Sequence, residues 1–515
     1  MDSAPVAKTL EKVKARVQQG KGPARQTQEA APIADAMRSY RENDRLSFSI
    51  PAHSGGRGPA PEFTQWAGIG AAHFDLPMSH GVDTRNRAWK VQATAQELFA
   101  EALGARQTLF STNGSSMNAH VAIMTVAGPG ETLVMARNGH KSAFAGLVLS
   151  GARPVYVEPY YDLELEISLG LVPADLRTAL SAHPEATAAM VFTPSYYGTS
   201  ADVRALADIC HEHDLPLVTD DAWGLDYDLV GHPGLPEGGL SCGADLAIGS
   251  VHKTLTGLAQ TSVLSVGSER IDTARLQLCF ELEESTSVSS LLLSSIDGAR
   301  RQFVREGEAL LKRALQSARL LRERLAADVP ELRVVSPEEL AARPGVTGVD
   351  PCHVLIETGS VGLTGYQVDD WLRDKHQIDV ELADHRRIMP LVTFAHGEPE
   401  IERLTRGLRD LLDGHTERPS PSRIPELPAG PELRTEQAIL PREAFFSPYE
   451  QVKPVNAPGR ISAELVTPYP PGIPVLAPGE LITESLVEYL EEFVAAGGFV
   501  EGVMDTSLKK LRVVA

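Results

Sequence analysis

LPLVTDDAWG (residues 215–224) and ADLAIGSVHKTLTG (residues 244–257) decide the fold. Each is a short apolar run that stops abruptly in polar or small residues, as a strand does when it leaves a covered sheet. The same pattern recurs in ETLVMAR (131–137), RPVYVEP (153–159) and AAMVFTP (188–194), with helical segments such as SADVRALADICHEHD (200–214) between several of them. Strands separated by helices imply right-handed crossovers and a mainly parallel sheet covered on both faces. The expected class is α/β. Its site is expected at the carboxyl ends of the strands, where Asp220 and Lys253 fall.

Working outward, residues 1–48 read as a charged, amphipathic helical arm, which must pack on the body or on a second subunit to bury its apolar stripe. Residues 49–300 form the large domain and 301–415 a smaller α/β domain, joined by a long helix over roughly 296–328. A Pro-rich linker covers 416–436, and a last module, 437–515, contains the helical ITESLVEYLEEFVAAG.

The chain of 515 residues is 43% hydrophobic and 23% charged, the balance of a globular protein with a large core. Its formal charge of −20 argues against a nucleic-acid surface, which needs clustered Lys and Arg. The four cysteines are far apart and lack metal-ligand spacing, so reduced buried thiols are expected and no metal site. The polar start MDSAPVAKTLEKVKARVQQGKG does not read as a signal peptide, and no apolar run is long enough to span a bilayer; a cytoplasmic protein with no membrane partner is the expectation.

Lys253 directly follows one strand and Asp220 ends another, 33 positions earlier. Separately they read as a surface lysine and a helix N-cap. Together they suit pyridoxal 5′-phosphate (PLP), which needs a lysine for covalent attachment and a carboxylate to keep its pyridine nitrogen protonated. Ala222 is small enough to lie against the ring. STNGSSMNAH (111–120) joins a strand to a helix, so its backbone N–H groups and the Ser115 and Ser116 hydroxyls make a phosphate cradle, with Ser250 and His252 beside the lysine. His140, after ETLVMA, is placed to stack on the ring; a structural role is the competing reading.

Taken together, these segments resemble the bacterial ornithine/lysine/arginine decarboxylase family, of the aspartate-aminotransferase fold type. The resemblance rests on FSIPAHSGGRG, TNGSSMNAH, RNGHKS, TPSYYG, TDDAWG, GSVHKTL, STSVSS, PREAFFSPYE, GRISAE and PYPPGIPVLAPGE and spans nearly the whole chain. It implies a PLP-dependent aspartate-aminotransferase-like fold, with Lys253 carrying the cofactor, Asp220 on the pyridine nitrogen, His140 on the ring, and Ser115, Ser116, Ser250 and His252 serving the phosphate. It also implies that His252 gives a proton to the substrate carbon after carbon dioxide leaves, and that Trp223 fills an aromatic position of the same motif. Thr286 and Ser287 match a segment that reaches the neighbouring subunit's phosphate, which implies a homodimer or larger assembly. The implied reaction is decarboxylation of arginine, lysine, ornithine or a modified relative. A distal substrate cation needs an acidic partner, for which Glu480 and Asp226 are candidates and surface carboxylates the alternative.

The chain departs from the pattern near the site. Ser54 stands where the family has a lysine, FDLPMSHGVDTRNRAW (74–89) replaces an acidic family segment, and Val288 and Ser290 replace Pro and Tyr. His80 and Asp83 in the divergent stretch are possible substrate contacts. These changes leave open a different outcome on the same cofactor (oxidase, aminotransferase or carbon–carbon bond formation), neutral drift, and a silent regulatory paralogue.

Overall fold

The computed structural model describes residues 27–43, 48–78, 82–83, 90–413, 419, 427, 430–469 and 472–515. Most of the arm at 1–48, part of the linker at 416–436, and His80 lie outside the described residues.

Seven strands build the central sheet: β1 (Gln107–Ser111), β2 (Thr132–Ala136), β3 (Arg153–Val157), β4 (Ala186–Phe192), β5 (Leu217–Asp220), β6 (Leu246–Ser250) and β7 (Ser262–Val266). Their spatial order is β1-β7-β6-β5-β4-β2-β3. Strands β2 to β6 pair in parallel, and β7 runs antiparallel to both of its neighbours. The apolar runs are buried along their whole length in β2, β5 and β6, as expected of strands covered on both faces. The covering helices include α1 (Pro32–Glu42), α2 (Lys90–Leu103), α3 (Gly114–Val126), α4 (Lys141–Ser150), α5 (Val203–Glu212) and α6 (Thr273–Glu283).

Helix α1 buries Ile33, Met37 and Tyr40 against the large domain. The Ile33 N–H donates to Asp297 over 3.0 Å, and the buried Arg300 guanidinium bridges Asp297 (2.9 Å) to the Gln28 carbonyl (2.8 Å). This ion pair is fully shielded and hydrogen-bonded at both terminal nitrogens of Arg300, while Arg300 Nε is buried without a partner.

The division expected at residue 300 falls inside a single helix, α7 (Ser290–Asp328). Its first half packs Leu293, Ile296 and Phe303 into the large-domain core, and its second half packs Ala318, Leu321 and Leu325 into a separate core. That second core lies between α7, α8 (Gly365–His376), α9 (Glu398–Leu412) and a four-stranded antiparallel sheet. The last module has its own apolar cluster around α10 (Glu484–Ala495) and two small two-stranded sheets. All four cysteines are free and buried. Among the described residues, no helix is long and apolar enough to cross a membrane.

Candidate active site

Strands β5 and β6 are neighbours, so their carboxyl ends carry Asp220 and Lys253 to one edge of the sheet. Alternation along the chain separates the two adjacent acids. Asp221 is taken up by the Thr219 hydroxyl at 2.6 Å, whereas Asp220 receives only the Ala222 N–H, at 3.2 Å. Burial raises the Asp220 pKa above the usual carboxylate range, and the charge of Lys253 pulls it back. Burial likewise lowers the Lys253 pKa, opposed by Asp220 and then Glu381. Each charge opposes the other's desolvation at a buried edge, which is uncommon outside functional sites.

Trp223 presents its ring face 4.1 Å from the Lys253 amine and packs edge-on against His353, with centroids 5.7 Å apart. Its indole N–H is buried without a partner. Ser250, at the end of β6, hydrogen-bonds Ser115 Oγ at 2.8 Å. Ser115 lies in the first turn of α3, whose N-cap Asn113 makes no side-chain capping bond, so the first-turn N–H groups have no capping side chain. Gly114 opens that turn at φ +78°, a conformation that favours glycine. Ser116 is exposed at the same turn.

His140 is the N-cap of α4 and accepts the Ser142 N–H through Nδ1 at 3.3 Å. Burial first, then the charges of Lys253 and Lys141, push its pKa down to about 4, so the imidazole is neutral at physiological pH. His252 points Nδ1 at the Thr261 carbonyl, 3.0 Å away; Nδ1 then carries the proton and Nε2 is the ring's other nitrogen. Its pKa is also lowered, chiefly by burial.

Two residues that sequence reasoning missed meet this group. Glu381, in the small domain, feels the charges of Lys253 and His353. Tyr469, from the C-terminal module, ends a strand (Thr467–Tyr469), and Gly472, three positions on, lies against His140 and accepts the Lys141 N–H at 3.2 Å. Glu381 has no periodicity or motif signal, and Tyr469, although inside PYPPGIPVLAPGE, had no signal pointing to this site; tertiary packing brings both in.

Three substrate-contact candidates are buried in the chain. Asp83 is completely buried and accepts the Gln92 N–H at 2.9 Å, fixing the start of α2 and leaving it no access to substrate. Glu480 is also fully buried; it pairs with Arg137 at 3.1 Å and accepts the Ala477 N–H at 2.6 Å, so its charge is already used inside the chain. Asp226 lies in a buried carboxylate cluster, where desolvation and then Asp350 push its pKa up to about 8, so it is largely neutral and a poor partner for a cation. Thr286 and Ser287 are exposed and line a groove with Ile50, His53 and Phe63, away from the groups around Lys253 in the same chain.

The assembled residues fit PLP. Asp220 lacks a hydrogen-bonding cation of its own, Lys253 is a partly desolvated amine, and the uncapped start of α3 with the Ser115–Ser250 pair is an anion site. Neutral His140 and Ala222 are suited to flank a ring.

The profile of the Orn/Lys/Arg decarboxylase major domain matches residues 31–399, and that of the Orn/Lys/Arg decarboxylase C-terminal domain matches residues 432–501. The arginine decarboxylase of Halalkalibacterium halodurans is 36% identical over 95% of this chain and 98% of its own length. The arginine decarboxylase of Bacillus subtilis is 34% identical over the same shares of the two chains. Among solved structures, the lysine decarboxylase of Francisella novicida shares the fold, with a TM-score of 0.79 over 94% of this chain and 80% of its own, at 20% identity.

Proposed function

The chain belongs to the Orn/Lys/Arg decarboxylase family and is a decarboxylase of a basic amino acid, and we propose that it works with PLP carried on Lys253 and takes arginine as its substrate. The observation that carries the cofactor assignment is the Lys253–Asp220 pair at adjoining strand ends, each buried and each biased by the other's charge. Arginine is favoured because relatives named arginine decarboxylase match almost end to end at 34–36% identity.

When bound, PLP supplies the sink for the electron pair left on the substrate carbon as carbon dioxide departs. The chain does the rest. Asp220 would hold a proton on the ring nitrogen, and the α3 amides with Ser115, Ser116 and Ser250 would hold the phosphate. His140, kept neutral by burial, flanks the ring without adding a charge that would oppose its protonation. His252, anchored to Thr261 through Nδ1–H, would take a proton from solvent at Nε2 and pass it to the substrate carbon. Glu381, facing the same group, offers a carboxylate to a cationic substrate. The buried strand ends exclude water, which strengthens each of these interactions.

The reading includes a homodimer with shared sites. Thr286 and Ser287 are exposed, and so is a large apolar set that includes Phe48, Ile50, Trp66, Leu278 and Leu282. A second subunit covers such a surface and brings its Thr286 and Ser287 to the first subunit's phosphate site. A cytoplasmic location suits the four unpaired thiols.

The test is carbon dioxide release and amine formation from arginine, lysine and ornithine, by protein reconstituted with PLP. Arginine gives both products at the highest kcat/KM. Absence of carbon dioxide from all three contradicts the reading. Mixing Lys253→Ala subunits with Thr286→Ala/Ser287→Ala subunits restores activity in hybrids if sites are shared, and leaves it unchanged if they are not.

A further inference from the structure

A cavity of about 470 Å³ is lined by none of the groups assigned to the cofactor. Its wall joins the edge of the large domain (Asn138, Tyr156, Glu158, Tyr161) to the C-terminal region (Thr435, Tyr489). The volume is that of a small-molecule site.

The wall's unmet hydrogen bonds define what it would hold. Asn138 is buried and donates its amide to the Leu169 carbonyl at 3.1 Å, which leaves its side-chain oxygen buried with no partner. The Tyr156 hydroxyl and Thr435 Oγ1 are also buried and unpartnered. All three can accept a hydrogen bond, and the amide oxygen can only accept. Their complement is a polar ligand, with at least one hydrogen-bond donor for the amide oxygen.

Charge points the same way. Tyr161, Tyr489 and Phe493 present aromatic rings, which attract cations on their faces, whereas the Tyr156 ring already carries Arg137, 5.1 Å from its centroid. Glu158 has no ion pair within 4 Å among the described residues, although it feels Arg137 and Arg434, and burial raises its pKa. The guanidinium of Arg137 is committed to Glu480 at 3.1 Å and the Pro474 carbonyl at 2.6 Å; Arg434 also lines the wall without an ion pair among the described residues, but four carboxylates (Glu158, Glu166, Asp175 and Asp384) face these two cations. His385 is similarly committed to Glu166 at 2.9 Å. A purely apolar ligand would leave all three acceptors unpaired.

We propose that this cavity is a regulatory site for an aliphatic di- or polyamine. Its walls are continuous with the active site. Asn138 lies two residues before His140, Pro468 precedes Tyr469, and Tyr197 follows Tyr196, which feels the charge of Asp220. An occupant that draws Asn138, Tyr156 and Thr435 together therefore acts on segments that also hold active-site residues. The binding chemistry stands on the cavity alone; only the identity of this class with the reaction's own product rests on the decarboxylase reading.

The test titrates the full-length, PLP-loaded protein calorimetrically with spermidine, with 1,8-octanediol as the uncharged control. Saturable binding of spermidine and none of the diol is expected, and Lys253→Ala binds as the wild type does. The variant Tyr156→Phe/Glu158→Gln keeps the aromatic ring and the side-chain volume. It weakens binding at least about tenfold, the loss expected when hydrogen bonds to a charged group are removed, while activity without amine stays unchanged. Spermidine changes the wild-type kcat or KM, and that effect disappears in the double variant. No saturable binding, equal affinity in the double variant, or purely competitive inhibition that survives the double substitution overturns the proposal. Failure of the decarboxylase reading shows separately, as no carbon dioxide release without amine, and leaves the titration readable.

Discussion

Asp220 and Glu480 are both carboxylates buried where an apolar segment ends, but they lie in regions built on opposite terms. At the seam between the C-terminal module and the large domain, the charge of Glu480 is matched from within the chain: Oε2 takes both the Arg137 guanidinium and the Ala477 N–H, while Oε1 is buried without a hydrogen bond. At the strand-end crevice, Asp220 receives one backbone N–H and only the field of Lys253. A buried charge served from within braces the fold. One left under-served is a place where the protein expects something else to complete it. The same contrast separates Arg137, packed 4.8 Å from the Phe144 ring and saturated with acceptors, from Lys253, whose amine faces only a tryptophan ring and two carboxylate fields.

If that contrast is right, substitutions in the two regions must fail in different ways. Asp220→Asn keeps the shape but cannot hold a protonated ring nitrogen, and kcat/KM falls by roughly a hundredfold to ten-thousandfold with the unfolding midpoint essentially unchanged. Arg137→Met does the reverse. It leaves Glu480 buried and unpaired, so chemical denaturation shows a loss of roughly 3–5 kcal/mol, and the folded fraction keeps its activity. A smaller effect comes from His140. Its pKa is depressed to about 4 in the folded protein against an ordinary 6.5, so the unfolded chain binds more protons between those values. Stability is therefore complete above about pH 6.5 and is lost as pH falls toward 4, by up to about 3 kcal/mol, in the cofactor-free protein; His140→Asn flattens that acid limb. The smallest change is Glu381→Gln, which raises KM for a cationic substrate about fivefold, near 1 kcal/mol, with little change in kcat. An effect of Glu381→Gln on stability alone, or of Arg137→Met on activity alone, would erase the distinction.

Most of the sheet was legible because its parallel strands are buried on both faces and read as unbroken apolar runs. Strand β7 was not, since SVLSV looks half-polar. Its Ser262 and Ser265 hydroxyls are buried against Asn118 at 2.8 Å and Thr108 at 3.0 Å, so polar letters there are satisfied core residues. The long helix hid the change from large to small domain, because one continuous amphipathic pattern serves two cores. Lys253, Asp220 and His140 were legible from strand ends and from motif. Glu381 and Tyr469 were not, because they reach the site across domains. The pairing of Glu480 was hidden for the same reason: its cation is 343 positions away in the chain, and no local pattern announces it.

The central claim is that the Lys253 amine and the Asp220 carboxylate hold PLP between them, and peptide mapping after borohydride reduction of the PLP-loaded protein tests it most directly. The account predicts the phosphopyridoxyl mass on the peptide that contains Lys253, and none retained by Lys253→Ala, which releases no carbon dioxide. A label on another lysine, or normal turnover by Lys253→Ala, contradicts it.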